Sequence, residues 1–558
     1  MKHKPIKQLL LMLVAFIPME GIQAQSADYM NVYNTVGKCV SYKIDDIRKV
    51  VFPSIEEMNI VLKDGTETQS LAEVRKITFG DSQYKEVVED EVLEKDETYT
   101  DVEVAPTPEE GEDNKEVILD VNTHIFQAEN ITININKDGK TPQISISVGG
   151  QVITKNIKVT RNIKGGIWTM LSLPFDIEIS DILVEDAQVE IGSNLLIRIY
   201  DAAYRAANSV EGKTANGWKE KTSGTIPANQ GFAVAINSRY DGDVQEVTFR
   251  GHDFAMDGTD KELTLNRHHS TANGGKDADW NFCGNPTLSN QEKENGHSLY
   301  IYNSENNTYD EYSSSQSATY LPFSAWFVQS ANDFISMVFS TTSKAIKSAS
   351  DNVEGTITLA INDGDDETSV ILNSEASTTY QRNEDALYME SPNPSLSQLY
   401  IVEGNTQMAV SEQPAVEGAI KIGYKAAQAG EQTLTLTNLP DNTIAALEDN
   451  QTGEQTLMSV GDSYSFTTAA GTNNNRFNLR LTEITGIDQT GITTLKAVVV
   501  GDEIKLYGTE AGDEITLYAT NGMIITQAVA EEGVTTIPTT ATGVIIIKVG
   551  TQTIKVVK

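Results

Sequence analysis

The sequence predicts an all-β protein: several β-sandwich-like domains in series after a small repeated β-meander domain and an acidic linker. Three observations predict it. Apolar and polar residues alternate at period two in many separate stretches, as at Ile131, Ile133 and Ile135 or in Thr433-Leu-Thr-Leu-Thr437. Turn signals such as Asp64-Gly65 and Gly550-Thr-Gln-Thr553 separate apolar runs of strand length. The chain of 558 residues is too long for one hydrophobic core, and it repeats itself twice.

Composition narrows the function classes. The formal net charge is −37, and phosphate recognition needs clustered Lys and Arg, so nucleic acid is excluded as a partner. An acidic surface also keeps a protein soluble. Cys39 and Cys283 are the only cysteines and lie far apart, so no disulfide framework is expected and both read as buried, unpaired thiols. Residues 1–24 read as a secretory signal, with a basic start at Lys2, Lys4 and Lys7 and an apolar run over 9–17. The small-residue exit Ile22-Gln23-Ala24 places cleavage between Ala24 and Gln25. That apolar run falls short of the about 20 residues a spanning helix needs, and no other stretch is long and apolar enough. The mature chain is expected to be exported, with no transmembrane segment.

Residues 25–80 contain a tandem repeat. Met30-Asn-Val-Tyr33, Gly37 and Ile47-Arg-Lys-Val-Val-Phe52 recur as Met58-Asn-Ile-Val61, Gly65 and Val74-Arg-Lys-Ile-Thr-Phe79. Each copy reads as a short β-meander, and one such unit is too thin to bury a face alone. This part resembles the short repeats found just after the signal in many secreted proteins of Bacteroidota. Residues 81–116 are dominated by Glu and Asp with Pro106 and Pro108, which predicts an extended, disordered linker.

A larger duplication occupies residues 117–343. Trp168-Thr-Met-Leu-Ser-Leu-Pro174 matches Trp280-Asn-Phe-Cys-Gly-Asn-Pro286, and Leu196-Ile-Arg-Ile-Tyr200 matches Leu299-Tyr-Ile-Tyr302. Pro227-Ala-Asn-Gln-Gly-Phe-Ala-Val234 matches Pro322-Phe-Ser-Ala-Trp-Phe-Val328. In each copy a strand carries Trp towards the core, proline ends it, and a later aromatic strand returns. The blocks resemble modules of large Bacteroidota surface proteins, with the pattern Trp-Asn-x-x-Gly-Asn-Pro, an Ile-Tyr strand and Pro-x-x-x-Gly-Phe-Phe-Val. The second copy has Ala325 where glycine is usual, and the first has Leu173 before its proline.

Residues 344–484 read as a β-sandwich. Leu447-Glu-Asp-Asn450, Thr452-Gly453, Tyr464-Ser-Phe466, Gly471 and Asn475-Arg-Phe477 resemble a domain that often directly precedes sorting tails. Residues 485–558 form a last small β-domain closing on a hairpin around Gly550. Ile515-Thr-Leu-Tyr518, Asn521-Gly522, Gly543 and the lysine-ended run to Lys558 resemble the C-terminal sorting domain of the type IX secretion system. Gly543-Val-Ile545 stands where that family commonly has Gly-x-Tyr. The resemblance implies transport across the outer membrane, with the secretion machinery as partner.

Motifs for chemistry are few. The chain has no Gly-x-Ser-x-Gly elbow, no His-Glu-x-x-His and no Gly-x-x-x-x-Gly-Lys. His268-His269 reads as an exposed loop pair, with metal chelation as the alternative. A Cys283–His pair of nucleophile and base is conceivable beside the buried apolar role that the strand motif favours for Cys283. Tyr300, Tyr302, Tyr309, Tyr312 and Trp326, with Tyr320 among them, form an aromatic-rich stretch that either stacks on sugar rings or lines a core. Asp253, Asp257 and Asp260, and separately Asp363, Asp365 and Asp366, place hard oxygens beside a turn glycine. Those loops suit calcium or are ordinary hairpin turns. No other cofactor is expected. A glycosidase pair of carboxylates leaves no spacing signal.

The expected function is a non-catalytic secreted or cell-surface protein, an adhesin or structural scaffold exported through its C-terminal domain. The alternatives are a glycan-binding protein, or a glycosidase-like hydrolase without a recognisable motif.

Overall fold

A computed structural model of the chain describes residues 29–558 apart from 35–38, 54–56, 64, 71–73, 81–82, 106–116, 136–140, 185–188, 238–243, 295, 332–333, 345–354, 363, 415–418, 441–442, 484–494, 501–502, 532–533 and 551. The expected signal segment with Ala24 and Gln25, and also Asp363, lie outside the described residues. The protein is all-β, and among the described residues the one α-helix is α1, Ala202–Asn208, capped by the Asp201 side chain on Tyr204 N. No described helix is long and apolar enough to cross a membrane. Two compact units are present: Met1–Leu439 with Ala446–Arg480, and Pro440–Ala445 with Leu481–Lys558.

The N-terminal repeat folds as two three-stranded sheets. Its strands are β1 (Tyr29–Asn34), β2 (Cys39–Lys43), β3 (Ile47–Val51), β4 (Glu57–Leu62), β5 (Thr66–Ser70) and β6 (Val74–Gly80). β1 pairs with β2 and β6, whereas β3 pairs with β4, which pairs with β5. Each repeat therefore gives its last strand to the sheet of the other. The exchange is isologous in register: Val32 lies opposite Ile77, and Ile60 opposite Val50. It lets two faces too small to stand alone share one core of Met30, Val32, Tyr42, Met58, Ile60 and Val74.

The acidic stretch departs from expectation. Residues 84–104, read from composition as linker, form β7 (Tyr84–Val87), β8 (Glu91–Val92) and β9 (Glu97–Val104). With β10 (Ile118–Asn122), β11 (Ile125–Ile135), β12 (Gln143–Ile146) and β13 (Gln151–Lys164) they wind as a parallel β-solenoid. β7, β9, β11 and β13 stack in one sheet, and β8, β10 and β12 in the other. The physical reason is alternation hidden beneath the charge. Val102, Ile131 and Ile157 form one buried column and Val104, Ile133 and Val159 another, while Asp101 and Glu103 take the half-buried positions between. The polar side is itself laddered. Asn130 Nδ2 donates to Asp101 Oδ1 (2.9 Å), Asn156 Nδ2 to Asn130 Oδ1 (2.9 Å), and His252 Nδ1 meets Asn156 Oδ1 (3.0 Å).

The duplication is visible as matched topology. The first module has β14 (Thr169–Leu171), β15 (Ile177–Glu178), β16 (Leu183–Val184), β17 (Leu195–Tyr200), β18 (Trp218–Glu220), β19 (Thr225–Ile226), β20 (Phe232–Ile236) and β21 (Val244–Asp257). The second has β22 (Lys261–Thr264), β23 (Trp280–Gly284), β24 (Gln291–Glu292), β25 (Leu299–Asn303), β26 (Thr308–Tyr312), β27 (Thr319–Tyr320), β28 (Ala325–Gln329) and β29 (Ser336–Phe339). Sheet order β14-β20-β17-β18 is repeated by β23-β28-β25-β26, pair β15-β19 by β24-β27, and the flanking pair β13-β21 by β22-β29. The copies are joined with near-twofold logic. Leu171 bridges Ser324, and Cys283 bridges Gln230, so the first strand of each module reaches the Gly-Phe block of the other. Gly284 is required there, because a Cβ would fall 2.3 Å from Ser172 Cβ and 2.4 Å from the Ser324 carbonyl oxygen. Phe282 and Phe327 stack at 4.4 Å, with Tyr200 edge-on to Phe327 at 4.8 Å. Trp280 is buried in this cluster, whereas Trp168 stays half-buried beneath the Arg198 guanidinium.

A sheet of eleven strands follows: β30 (Thr356–Ile361), β31 (Asp366–Leu372), β32 (Ala386–Leu387), β33 (Gln398–Glu403), β34 (Thr406–Gln413), β35 (Ala419–Ala426), β36 (Gly430–Asn438), β37 (Thr443–Asp449), β38 (Glu454–Met458), β39 (Ser463–Thr468) and β40 (Gly471–Glu483). Its order ends in β30-β36-β39, yet Phe466 of β39 lies 5.2 Å from Tyr424 of β35 and 4.7 Å from Phe477 of β40. The sheet therefore rolls over on itself as a sandwich. The motif residues Asp449 and Arg476 form a buried ion pair at 2.8 Å, with the guanidinium over Phe466 and Phe477.

The second unit, taken by itself, is a small sandwich. β41 (Lys496–Val500), β42 (Glu503–Tyr507) and β45 (Val534–Pro538) form one sheet. β44 (Ile524–Val529), β43 (Glu514–Ala519), β46 (Val544–Val549) and β47 (Gln552–Val557) form the other. Ile504, Leu506, Ile515, Leu517, Ile545 and Ile547 fill its core. The closing hairpin is present, with Val549 opposite Gln552 and Gly550 in the left-handed region at φ +55°.

Candidate functional site

The site follows from an anomaly in β26. Thr308-Tyr-Asp-Glu-Tyr312 is half-buried at every position, so the alternation of a strand has no solvent face on which to put both Asp310 and Glu311. Tyr309 packs against Tyr302 (5.3 Å) and Phe327 (6.3 Å), and Tyr312 against the cluster containing Trp326. Opposite stand Asp365 of the β30–β31 turn and Asp366 and Glu367 at the start of β31. Between them is a cleft of about 640 Å³, whose lining includes five carboxylates and no Lys, Arg or His among the described residues.

Three of these carboxylates are held by backbone and side-chain amides. Met389 N donates to Glu311 Oε1 (3.2 Å), and Leu399 N to Asp366 Oδ2 (2.8 Å). Asn362 Nδ2 and Ser397 N donate to Asp365 Oδ2 at 3.2 and 3.3 Å. Burial pushes Asp366 up to about 7, with Glu367 and Asp365 adding repulsion and the Leu399 amide opposing it. Burial also drives Glu311 well above the carboxylate range, with Asp366 as the next contributor. Asp310 and Glu367 rise through burial, the latter also through Asp310. The cleft thus gathers carboxyls whose neutral form burial favours, groups able to accept from hydroxyls or amines and to donate to them when protonated, beside two tyrosine rings.

The aromatic stretch is divided by the fold. Tyr300, Tyr302 and Trp326 are 1, 8 and 1 % exposed. Their ring faces are covered, because β25 and β28 are inner strands between two packed layers, and this corrects the reading of them as stacking residues. Tyr300 instead accepts from Leu387 N (2.9 Å) and Tyr302 donates to Asn307 Oδ1 (2.9 Å). Tyr309 and Tyr312 do line the cleft. The aspartate loops do not converge on an ion: no group of three or more His, Cys, Asp or Glu among the described residues is arranged to hold a metal. Asp253 and Asp260 are exposed, and Asp257 accepts from Thr259 N (3.2 Å), Thr259 Oγ1 (2.5 Å) and Lys261. Asp365 and Asp366 belong to the cleft. Asp310 and Glu311 were missed by sequence reasoning, and their one signal is an adjacent acidic pair inside an aromatic strand.

Other reactive groups serve the fold. Burial pushes the Cys283 thiol up to about 12, which leaves it un-ionised at neutral pH. His297 is buried, meets the Tyr320 hydroxyl at 2.6 Å and is pushed down to about 3 by burial and Lys293. Asp279 joins Arg267 (3.0 Å) to Arg382 (2.9 Å). A second cleft of about 800 Å³ has Arg205 spent on Asp277 (2.9 Å) and Lys276 on the Asn405 carbonyl (2.7 Å).

No family model matches the chain, and no curated protein does. Among solved structures, a chain described as a biofilm associated protein, BSP domain, is similar at 8 % identity with a TM-score of 0.13. The match covers 69 % of this chain and spans 58 % of that one, and at this TM-score it carries no argument about fold or function.

Proposed function

We propose that the chain is a non-catalytic β-protein displayed outside the cell, an adhesin or structural scaffold, exported with the help of its leader and its C-terminal unit. The observation that carries this reading is how the successive β-segments of the first unit are bolted together. Ile146 N donates to the Thr341 carbonyl (3.0 Å) and Thr341 Oγ1 donates back to the Ile146 carbonyl (2.7 Å), fixing solenoid to second module. Gly231 N donates to the Phe282 carbonyl (3.0 Å), fixing module to module. Ser314 N donates to the Glu384 carbonyl (2.9 Å) and Ser298 Oγ to the Asp385 carbonyl (2.6 Å), fixing module to sandwich. Such joints suit a stiff display platform. The resemblance of residues 485–558 to a type IX sorting domain supports the route outward.

Protease shaving of intact cells, with mass spectrometry of the mature ends, tests this proposal. Shaved peptides from 84–480 are expected. Material confined to the periplasm with Lys558 still present would overturn the route.

A second reading is favoured by the convergence of Tyr309, Tyr312, Asp310, Glu311 and Asp366 on one cleft: a hydroxyl-rich glycan held by carboxyls against tyrosine edges. Glycan-array binding lost in Tyr312→Ala and Asp366→Asn supports it. New reducing ends released from a bound glycan would instead favour the hydrolase.

A further inference from the structure

The segment between β32 and β33 is tied to both walls of the acidic cleft. On the module side, Met389 N donates to Glu311 (3.2 Å) and Ser391 Oγ donates to the Asn307 carbonyl. On the sandwich side, Ser397 N donates to Asp365 (3.3 Å), and Leu399 N, at the start of β33 where the segment ends, donates to Asp366 (2.8 Å). One strap thus rests on carboxylates of two facing sheets, and those carboxylates repel each other in a half-buried space. The remaining titratable groups do not neutralise them. Tyr302, Tyr309, Tyr312, Tyr388 and Tyr400 are raised by burial and stay neutral. Lys425 of β35 is paired with Glu390 of the strap, and Arg205, which faces Tyr309 from the first module, is paired with Asp277.

We propose that this junction is a proton-operated latch. Ionised, the facing carboxylates of β26 and β31 hold the cleft open. In a mildly acidic medium they share protons across it, hydrogen-bond to one another and draw strap and walls together. The latch works whatever the cleft binds. Asp366 takes up its proton as pH falls through about 7, against a usual value of 3.8 in an unfolded chain. A folded-state value above the unfolded one binds more protons in the native state. Its stabilisation is therefore absent above about 7, grows as pH falls, and is complete below 3.8.

The test uses the mature chain with Asp366→Asn, Glu311→Gln and the exposed-turn control Glu305→Gln. Thermal midpoints and hydroxyl-radical modification of Tyr309 and Tyr312, normalised to exposed Tyr204, are read at pH 8 and pH 5.5. Wild type is expected to gain stability and lose several-fold tyrosine reactivity at pH 5.5. Asp366→Asn should show the acid level of tyrosine reactivity at both pH values and lose the Asp366 share of the midpoint shift, with Asp385 keeping its own. Glu305→Gln should behave as wild type. Should Asp366→Asn fail to fold, Glu311→Gln carries the same comparison from the opposite wall. A neutral-wall variant that keeps the wild-type pH response, or a Glu305→Gln chain that loses it, overturns the latch.

Discussion

At the scale of single residues, one buried ion pair and one glycine at a close approach constrain the fold in different ways. Asp449 receives Arg476 Nε and Nη2 and also the Gln451 amide, and these partners hold its carboxyl below the usual range despite burial. Breaking one half strands the other. Arg476→Ala is expected to cost about 3–5 kcal/mol, because an unpaired carboxylate would remain buried. Replacing both partners with apolar residues should recover part of that loss in urea denaturation, and an additive double mutant would refute the coupling. Gly284 answers to geometry instead. Its missing Cβ makes room for the Ser172 side chain and the Ser324 carbonyl. Gly284→Ala should cost about 1–3 kcal/mol through overpacking, and Ser172→Gly in the same chain should relieve part of it.

At the scale of elements, the decisive variable is whether a pattern survives in one strand's own residues. The hairpin around Gly550 and the strands at Ile131–Ile135 were legible because period-two alternation needs no partner. The paired modules were legible because both copies carry Trp, Ile-Tyr and Pro blocks in one order. The solenoid's first turns were not. Glu86, Glu89, Glu91, Glu94 and Glu97 outweigh Val87 and Leu93 in any compositional window, although the two apolar residues are 1 % exposed each. The cleft was half legible: Tyr309, Tyr312, Asp365 and Asp366 stood out for other reasons. Asp310 and Glu311 acquire a role only when β26 meets β31, a meeting of surfaces more than fifty residues apart in sequence. A direct check of the solenoid assignment is Val104→Asp. In an extended linker it would be silent. In a stacked column with Ile133 and Val159 it buries a charge and should cost on the order of 3 kcal/mol, read as a lower urea midpoint.

At the scale of the whole molecule, stability against pH is the balance of three sets of groups with opposite signs. Asp366 and Asp385, each pushed up to about 7 by burial, bind more protons folded than unfolded, so they add stability as pH falls from about 7 towards 3.8. His297, pushed down to about 3 from 6.5, binds fewer protons folded, so its contribution is present above 6.5 and lost as pH falls towards 3. Asp279, Asp449 and Glu412, lowered by Arg, amide and hydroxyl partners, lose their contribution only below the usual carboxylate range. Between the first and third windows the raised carboxyls outnumber the one buried imidazole, and relief of the net charge of −37 acts in their direction. The midpoint of thermal unfolding should therefore peak on the acid side of neutrality, between about pH 4 and 6, and fall on both sides. His297→Gln keeps a hydrogen bond to Tyr320 without the titration, so it should broaden the acid limb and leave the alkaline limb in place. A maximum at or above neutrality in wild type would mean that the raised carboxyls are solvated at the junction, and the burial that links module to sandwich would then be the premise to discard.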